Sequence, residues 1–496
     1  MTVQLTEHLA AIAAGPAGPQ VGAFFDLDGT LVAGFTATTF FTDQVRRGEV
    51  GVRTAMRTVA AAVDGTYLGG DPLKSGESAF GVLRGRTEDT FADLGERLFQ
   101  DAIARTLRPQ ARELVRAHQR QGHTVVISSA ATAYQIGPVA RDLGIEHLIC
   151  TRLELRDGVF TGRTDGPMRW GPGKARGVRS FAQAHGVNLR VSFGYGNGTE
   201  DVDFLAMVGR PVPLSPDPGL RDAAGRFAWP VLDLADPPQA GLAEVVRTAA
   251  ALGGMNLGAL GGLAWGAVTG DRRRGVNAAV AMACDTALRV AGVRLAVRGT
   301  EYLDPDRGGA RPAIVVANHQ SAIDPVVVAS LLRGDFTVVA KKEARWDPRA
   351  VLGSVLLDPA FIDRSSSESA RATLAQVADR VRAGTSLLIF PEGTRSPTQT
   401  LLPFKKGAFH LAAQAGVPVL PVVLRNTGEV LPRHGHAIRA GVVQVQVLPP
   451  VTGWAEAART KQGLDAAIAD LHAAYRRTLA DWDHPGPSSV RGGHDA

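Results

Sequence analysis

The sequence has few cysteines, few aromatic residues and no basic residue at its start. Its 496 residues include two cysteines, Cys150 and Cys284, which lie far apart in apolar surroundings. Two such residues supply neither a metal-ligand motif nor a disulfide framework, which is consistent with a reducing compartment. Residues 1–20 contain no Lys or Arg, so the charged start of a secretory signal peptide is absent. The sequence therefore predicts a protein on the cytoplasmic side of the membrane.

Aromatic residues make up 6% of the chain and are not interleaved with a basic stripe, which argues against nucleic-acid binding. The formal net charge of +6 favours anionic lipid head groups or phosphorylated substrates, although ordinary solvated surfaces carry the same excess. Hydrophobic residues at 45% and charged residues at 21% are typical of folded protein. The length predicts two or three domains.

Residues 21–236 have the pattern of an α/β domain. Three apolar runs, at 21–25, 124–127 and 191–193, predict short buried strands, and each ends in a polar cluster. In open parallel sheets, ligands bind at the carboxyl ends of the strands. Between the first two runs, residues 35–108 form a helical insertion that is long enough to cap such a site.

The first polar cluster contains two acids, Asp26 and Asp28, in the motif DLDGT. Two carboxylates in this arrangement can supply a nucleophile and a proton donor near a metal ion. The same sequence also fits a structural acidic turn that ends in glycine. Downstream, Ser128 follows the second run, Lys174 precedes a predicted helix, and an acidic loop follows the third run.

These segments resemble the haloacid dehalogenase superfamily, in the branch similar to phosphoserine phosphatases. The resemblance implies that Asp26 attacks phosphorus to form an aspartyl-phosphate, and that Asp28 protonates the leaving group. It also implies that Ser128 and Lys174 hold the phosphoryl oxygens. The Mg²⁺ ligands that it implies come from two loops: the Asp26 carboxylate, the Asp28 carbonyl oxygen, Asn197 and Asp201.

One position departs from this family pattern. Asn197 stands where the family usually has the first acid of its last loop. An amide oxygen can bind Mg²⁺ but brings no charge, and hard cations favour carboxylates. Glu200, Asp201 and Asp203 are nearby acids that could compensate. A scaffold or ligand-sensing role therefore stays open beside phosphatase activity.

A proline-rich step at 236–238 marks a boundary, and residues 237–300 predict a membrane-associated helical hairpin. Segment 248–270 is uncharged, and a basic cluster at 272–274 and an amphipathic helix from Val276 follow it. Glycine recurs at every fourth position, which allows close helix packing: Gly254, Gly258, Gly262, Gly266 and Gly270. A buried helical hairpin of a soluble protein and a full membrane span are the alternatives.

Residues 301–480 predict a second α/β domain, and 481–496 a disordered tail. A strand at 313–317 leads into a segment that contains His319 and Asp324. Residues five apart face away from each other on a continuous helix, so His319 must lie on the loop before a helix that starts near Asp324. A base with an orienting carboxylate fits this spacing, as does a helix-capping box from Ser321.

Three further blocks follow in order. They are the cations at 341–342, the segment 361–364, and the loop after a strand at 386–390, with an apolar run at 417–423 beyond them. In this order, these segments and the one that contains His319 together resemble the glycerolipid acyltransferase family that contains the 1-acylglycerol-3-phosphate acyltransferases. The residues that this resemblance assigns to the acceptor and its phosphate are Lys341, Arg364, Glu392, Gly393, Thr394 and Arg395.

The resemblance implies that His319 is a general base that Asp324 orients. His319 would remove a proton from the acceptor hydroxyl while that oxygen attacks an acyl thioester, with acyl-CoA or acyl-carrier protein as the donor. The sequence therefore predicts a bifunctional enzyme at the cytoplasmic face of the membrane, with membrane lipids and a lysophospholipid as partners.

Three alternatives remain: a different lysophospholipid or glycolipid acceptor, a small-molecule phosphatase whose C-terminal half anchors or regulates it, and an adaptor with two inactive domains. The sequence indicates neither the acyl chain length nor the oligomeric state.

Overall fold

Two mainly parallel sheets organise the chain, which divides into two units, Met1–Gln239 and Ala240–Ala496. The computed structural model describes residues 4–48, 80–236, 241–303, 312–341, 356–357, 359–362, 376–398, 400–433 and 435–482. The α/β fold class that the sequence predicts is confirmed for both units. The boundary step at 237–238, Arg364 and the end of the predicted tail, 483–496, lie outside the described residues.

The N-terminal unit has a five-stranded parallel sheet and a separate two-stranded hairpin. Its strands are β1 Gly22–Phe25, β2 Thr124–Thr132, β3 His147–Thr151, β4 Leu153–Arg156, β5 Val159–Thr164, β6 Phe193–Gly196 and β7 Arg210–Pro213. The order in the sheet is β3-β2-β1-β6-β7, and β4 pairs with β5. The chain leaves β1 in one direction for β2 and β3 and in the other for β6 and β7, so β1 borders the switch point at which such sheets bind ligands.

Helices cover both faces of this sheet, and two more belong to the predicted cap, Thr36–Arg46 and Glu88–Leu98. The others are Leu5–Ala13, Pro109–Arg120, Ala133–Leu143, Pro172–His185, Val202–Leu205 and Pro218–Phe227. Phe24 belongs to the apolar core on one face and Phe25 to the core on the other. This alternation follows from the two-residue period of a strand, and it buries β1 on both sides.

Two parts of the N-terminal prediction need correction. The third strand begins at Phe193 rather than at residue 191, because Leu189–Val191 is a 3-10 turn in which the Asn188 side chain accepts a hydrogen bond from Arg190 N at 3.0 Å. The hairpin β4–β5 was not predicted. The described parts of the predicted cap are helical, and residues 49–79 lie outside the description.

The C-terminal unit has a seven-stranded sheet. Its strands are β8 Val293–Arg298, β9 Ile314–Ala317, β10 Phe336–Lys341, β11 Ala360–Ile362, β12 Ser386–Ile389, β13 Val419–Arg425 and β14 Gly441–Val447. The order is β11-β10-β12-β9-β13-β14-β8, and every neighbouring pair is parallel except β13 with β14. The buried strand β9 therefore lies at the centre of the sheet and delivers its loop between two parallel neighbours.

The helices after β9 are Asp324–Leu332, Gly407–Ala415, Thr427–Val430, Trp454–Ala457 and Lys461–Asp481, and residues 376–382 are also helical. The last long helix is fastened to the sheet by Tyr475. Its buried hydroxyl donates to Val316 O at 2.7 Å and accepts from Val422 N at 3.1 Å. One side chain thus joins this helix to the central strands.

A helical hairpin, Leu242–Thr269 and Arg272–Val290, precedes this sheet. The first helix packs its glycine face on the second: a Cβ at Gly262 would lie 2.2 Å from Ala279 N. Gly254, Gly258 and Gly266 share this close packing, whereas Gly270 ends the helix with φ +67°. The second helix begins at Arg272 rather than Val276, because the Asp271 side chain caps it by accepting from Arg274 N.

The opposite face of the first hairpin helix is apolar and exposed. The exposed fractions are 71% for Leu257, 62% for Leu260, 58% for Trp265 and 82% for Val268. Among the described residues, this 28-residue helix alone is long and apolar enough to cross a membrane. The predicted helical hairpin is therefore present in the structure.

Candidate active sites

The first site forms where β1 and β6 end. Asp26 follows β1 directly, and its backbone N–H donates to Tyr195 O at 2.8 Å. At Gly29 the backbone turns with φ +79°, and a Cβ there would lie 2.1 Å from Nδ2 of Asn197. Glycine at this position therefore allows the loops after the two strands to pack against each other.

Lys174 lies at the centre of this site. Its Nζ donates to Oδ1 of Asp26 at 2.7 Å and to Oδ1 of Asp201 at 2.5 Å, and all three side chains are buried. Helix Pro172–His185 holds Lys174 in its first turn, so the sequence prediction that Lys174 precedes a helix is wrong by a few residues. Buried charges of this kind persist because each has a partner.

The charge balance of this cluster shifts the pKa of its members. Burial raises the pKa of Asp26 to about 8, and Asp201 adds to this effect although Lys174 opposes it. Burial alone would lower the pKa of Lys174, but the two carboxylates outweigh it and raise that pKa above its usual value. The ammonium group of Lys174 thus pairs with two carboxylates. A further cation beside Asp26 would favour the ionised form of that aspartate.

Asp28 is held by the first residue of the helix Thr36–Arg46. Its Oδ1 accepts from Thr36 N at 2.7 Å and its Oδ2 accepts from Thr36 Oγ1 at 3.2 Å. Burial raises the pKa of Asp28, and the two bonds from Thr36 oppose that rise. A carboxyl group with a raised pKa is suited to give a proton to a leaving group.

Ser128 lies inside β2 rather than after it, one residue beyond Ile127, which pairs with Phe25 of β1. This register puts Ser128 beside Asp26 at the carboxyl end of the sheet. Its hydroxyl is fully buried and has no hydrogen-bond partner among the described residues. Buried polar atoms are rarely left unsatisfied, so this hydroxyl is available to a ligand oxygen.

The predicted metal ligands differ in how many of their oxygens already accept hydrogen bonds. Asp201 uses one oxygen for Lys174 and the other for the backbone N–H groups of Asn197 and Gly198, at 3.1 and 3.3 Å. The side-chain oxygen of Asn197 accepts from Thr30 Oγ1 at 3.1 Å. Within the described ranges, no group of three His, Cys, Asp or Glu residues is arranged to hold a metal.

The remaining donors, Asp26, the Asp28 carbonyl and Asn197, are all oxygens, which fits Mg²⁺ with a single carboxylate. A direct metal role for Asp201 stays a prediction, and its carboxylate is committed to Lys174.

The second site forms where β9 ends. Asn318 follows β9, and its side chain donates to Leu424 O at 2.9 Å and accepts from Leu424 N at 2.7 Å. The amide thereby fixes the loop after β9 against β13. The sequence prediction missed this role, because the partner strand is 106 positions away.

His319 and Asp324 meet as their spacing predicts. Nδ1 of His319 lies 2.8 Å from Oδ2 of Asp324, and the helix Asp324–Leu332 begins at the aspartate. The same Oδ2 accepts from the backbone N–H groups of Gln320 and Ser321, both at 2.7 Å. Asp324 therefore orients the imidazole and also satisfies two backbone N–H groups of the loop. The alternative of a capping box from Ser321 is wrong, because the helix has Ile323 at its N-cap and no side-chain cap bond.

The imidazole is placed for proton transfer. Its ring stacks on Phe390, with centroids 4.1 Å apart and an interplanar angle of 22°. When Nδ1 donates to the buried carboxylate of Asp324, Nε2 at the other side of the ring is the free acceptor. The side chain of His319 is 18% exposed, so a substrate hydroxyl has access to it.

The loop after β12 is tied to the backbone of His319 at two points. Oε1 of Glu392 accepts from His319 N at 2.6 Å, and Ser396 N donates to His319 O at 2.6 Å. The other Glu392 oxygen accepts from Leu402 N at 2.9 Å. Burial raises the pKa of Glu392 to about 8, against the opposing effect of these two bonds.

Both Glu392 oxygens thus bind the backbone, which differs from the expectation that Glu392 contacts the acceptor phosphate. Gly393, Thr394 and Arg395 lie between the two ties and are half-buried. Lys341 ends β10, and its side chain lies outside the description, as does all of Arg364.

Two family models match this chain. The model for haloacid dehalogenase-like hydrolases matches residues 23–206, and the acyltransferase model matches residues 294–425. The chain is 32% identical over 247 residues to phosphoserine phosphatase SerB1 of Mycobacterium tuberculosis, which covers 48% of this chain and 77% of that protein. The chain belongs to the haloacid dehalogenase-like hydrolases. Its C-terminal part is an acyltransferase-family domain, so the chain is a fusion of the two.

The acyltransferase half of this fusion has its own relatives. It is 37% identical over 161 residues to human 1-acyl-sn-glycerol-3-phosphate acyltransferase alpha, which covers 32% of this chain and 56% of that protein. The fusion thus spans about half the length of these relatives. The crystal structure of the 1-acyl-sn-glycerophosphate acyltransferase of Thermotoga maritima is 22% identical, with a TM-score of 0.41, over 49% of the fusion and 97% of that chain.

Proposed function

We propose that the C-terminal unit transfers a fatty acyl group from acyl-CoA or acyl-carrier protein to 1-acylglycerol-3-phosphate and forms phosphatidate. The observation that carries this proposal is the pair His319 and Asp324, joined at 2.8 Å, with the loop around Gly393 tied to the same histidine. The acyltransferase relatives support this acceptor.

In the proposed reaction, Nε2 of His319 takes the proton of the acceptor hydroxyl while its oxygen attacks the thioester carbonyl. The carbon–sulfur bond then breaks, and the departing thiolate recovers the proton from Nε2. Asp324 stabilises the imidazolium that exists between these two transfers, because its carboxylate accepts the Nδ1 proton in a hydrogen bond. No acyl-enzyme is required.

We propose that the hairpin brings this site to the cytoplasmic face of a membrane. Its exposed apolar side chains, such as Leu257 and Val268, would enter a lipid leaflet, and the arginines at 272–274 would meet anionic head groups. Flotation with anionic liposomes at low salt tests this. The wild type should float, and the double variant Leu257→Glu and Val268→Glu should not; equal behaviour of both would contradict the proposal.

For the N-terminal unit, we propose hydrolysis of a phosphoric monoester. Asp26 would attack phosphorus, Asp28 would protonate the leaving oxygen, and Ser128 and Lys174 would hold phosphoryl oxygens. Bound Mg²⁺ would neutralise charge on the phosphate. The hydrolase relatives and the buried Asp26–Lys174 pair support this proposal.

Thiol release from palmitoyl-CoA with lysophosphatidate tests the acyltransferase proposal. We expect release that requires the acceptor, disappears in His319→Ala and persists in Asp26→Asn. A panel of acceptors compared by kcat/KM tests the acceptor, and preference for one without phosphate would contradict it. No thiol release from the wild type, with phosphate release that Asp26→Asn abolishes and His319→Ala leaves intact, would favour a phosphatase with a regulatory C-terminal half.

A further inference from the structure

Lys405 lies directly on the loop that follows β12. Its backbone N–H donates to Pro391 O at 2.8 Å, which fixes it at the base of this loop. Its side chain then runs over Gly393: a Cβ at that glycine would lie 2.8 Å from Nζ and 3.0 Å from Cε of Lys405. Gly393 has φ +72°, so glycine serves here both the turn and the close approach of the lysine.

The same loop is bound to the proposed general base. Glu392, which precedes Gly393, accepts from His319 N, and Ser396 donates to His319 O. The segment between these two residues therefore cannot move away from His319 without breaking one of two short hydrogen bonds. The amine of Lys405 therefore lies over a loop that is bound to the backbone of His319.

Lys405 has no carboxylate partner among the described residues, whereas its neighbour Lys406 pairs with Asp465. The two acids closest to the site in sequence are already committed: Glu392 binds two backbone N–H groups and Asp324 binds three N–H donors. Lys405 is also exposed to solvent. An exposed cation that has no counter-ion among the described residues, beside a loop bound to the base, attracts an anionic part of a substrate.

The chemistry of the proposed acceptor indicates which anion Lys405 would attract. In 1-acylglycerol-3-phosphate the reacting hydroxyl and the phosphate ester stand on adjacent carbons, so a hydroxyl at His319 brings the phosphate close to the same histidine. We propose that Lys405 binds the phosphate of the acceptor and sets the preference for phosphorylated acceptors. This inference rests on the proposed acyltransferase function and adds a residue that the sequence prediction did not include.

Steady-state thiol release by the full-length protein tests the inference, with lysophosphatidate and with monoacylglycerol of the same chain length as acceptors. We expect Lys405→Ala to raise KM for lysophosphatidate about tenfold or more, the size of one lost charge-assisted hydrogen bond. KM for palmitoyl-CoA and the rate with monoacylglycerol should stay within about twofold. Lys405→Arg should restore most of the loss, because it keeps the charge.

Lys406→Ala is the matched control, since it removes a charge one residue away that is paired with Asp465, and it should behave as the wild type. An unchanged KM for lysophosphatidate in Lys405→Ala would overturn the inference, as would an equal loss with both acceptors. If the wild type transfers nothing to lysophosphatidate, the proposed function fails. Calorimetric binding of lysophosphatidate then still tests Lys405, because equal affinity of wild type and Lys405→Ala overturns its role.

Discussion

Oε1 of Glu392 lies 2.6 Å from the backbone nitrogen of His319, and this bond joins the loops after β9 and β12. A carboxylate whose two oxygens both accept backbone N–H groups sets the position of a loop rather than binding an anion. The side chain is 3% exposed, so no solvent replaces a lost bond. Removal of one acceptor leaves a buried N–H group unsatisfied.

We therefore expect Glu392→Gln to lower the free energy of unfolding by about 1–3 kcal/mol. It should lower kcat for acyl transfer more than it changes KM for the thioester, because the imidazole loses its position. Urea unfolding and thiol release measure the two effects. Glu456→Gln, on the surface beside Arg459, is the control and should change neither. A raised KM for the acceptor with unchanged kcat would instead favour direct phosphate contact.

Asn197 provides the next prediction. Its side-chain oxygen accepts from Thr30 Oγ1, a bond that a carboxylate at this position would preserve. We expect Asn197→Asp to strengthen Mg²⁺ binding about tenfold or more, because a charge is added beside Asp26. Calorimetric Mg²⁺ titration and hydrolysis of p-nitrophenyl phosphate measure this. Asn188→Asp, at an exposed turn, is the control, and equal Mg²⁺ affinity of all three proteins would place the cation elsewhere.

The sequence predicted much of the local structure at both sites. Asp26 directly follows a buried strand and His319 lies two residues after one, and a polar cluster at the end of an apolar run can be recognised in the sequence. The sequence did not indicate the Lys174–Asp201 bond or the tie of Glu392 to His319, because their partners are 27 and 73 positions apart. Such contacts depend on how strands are ordered in the sheet, which local patterns do not encode.

The hairpin gives a prediction with a control on the same helix. At Gly262 a Cβ would lie 2.2 Å from Ala279 N, whereas a Cβ at Gly253 would meet no atom within 4 Å apart from those of its chain neighbours and its own helix backbone. We expect Gly262→Ala to lower the free energy of unfolding by about 1–3 kcal/mol, because the helices must separate. Gly253→Ala should raise it by about 0.5–1 kcal/mol through helix propensity. Equal effects in urea unfolding would show that the two helices are not closely packed in solution.

Four buried side chains in the N-terminal unit form a chain of hydrogen bonds in which each donor can be assigned. Nε2 of His123 lies 2.8 Å from Pro16 O, which only accepts, so this nitrogen donates. His118 Nδ1 must then donate to His123 Nδ1, and Tyr195 Oη to His118 Nε2. His8 Nε2 donates to Tyr195 in turn. This order requires His118 and His123 to be neutral, whereas Nε2 of His8 can donate in either protonation state.

Acid should therefore destabilise this unit. Burial, with Arg210 as a second cause, lowers the pKa of His8 to about 4 from 6.5, and burial also lowers the pKa of His118 and of His123. The unfolded chain binds more protons below pH 6.5, so stability present at neutral pH is lost as the pH falls towards 4. Between pH 7 and 5, His8 alone contributes about 2 kcal/mol to this loss.

Urea unfolding at pH 7 and pH 5 measures this pH dependence. His8→Asn should reduce it, whereas His185→Gln, at an exposed position, should leave it unchanged. A wild-type stability that is constant from pH 7 to 5 would contradict the proton order derived for these rings.

A substitution at Asp324 distinguishes its effect on catalysis by His319 from its effect on the stability of the loop. In Asp324→Asn the amide oxygen can still accept from Gln320 N and Ser321 N, so the loop should keep its shape and the protein its stability to within about 1–2 kcal/mol. In this orientation the same amide oxygen also accepts from Nδ1 of His319. The amide carries no negative charge to stabilise the imidazolium that forms during proton transfer, so kcat should fall by about 10²–10⁴ while KM changes little. A thiol-release rate near that of the wild type would mean that Asp324 serves only to hold the backbone of the loop.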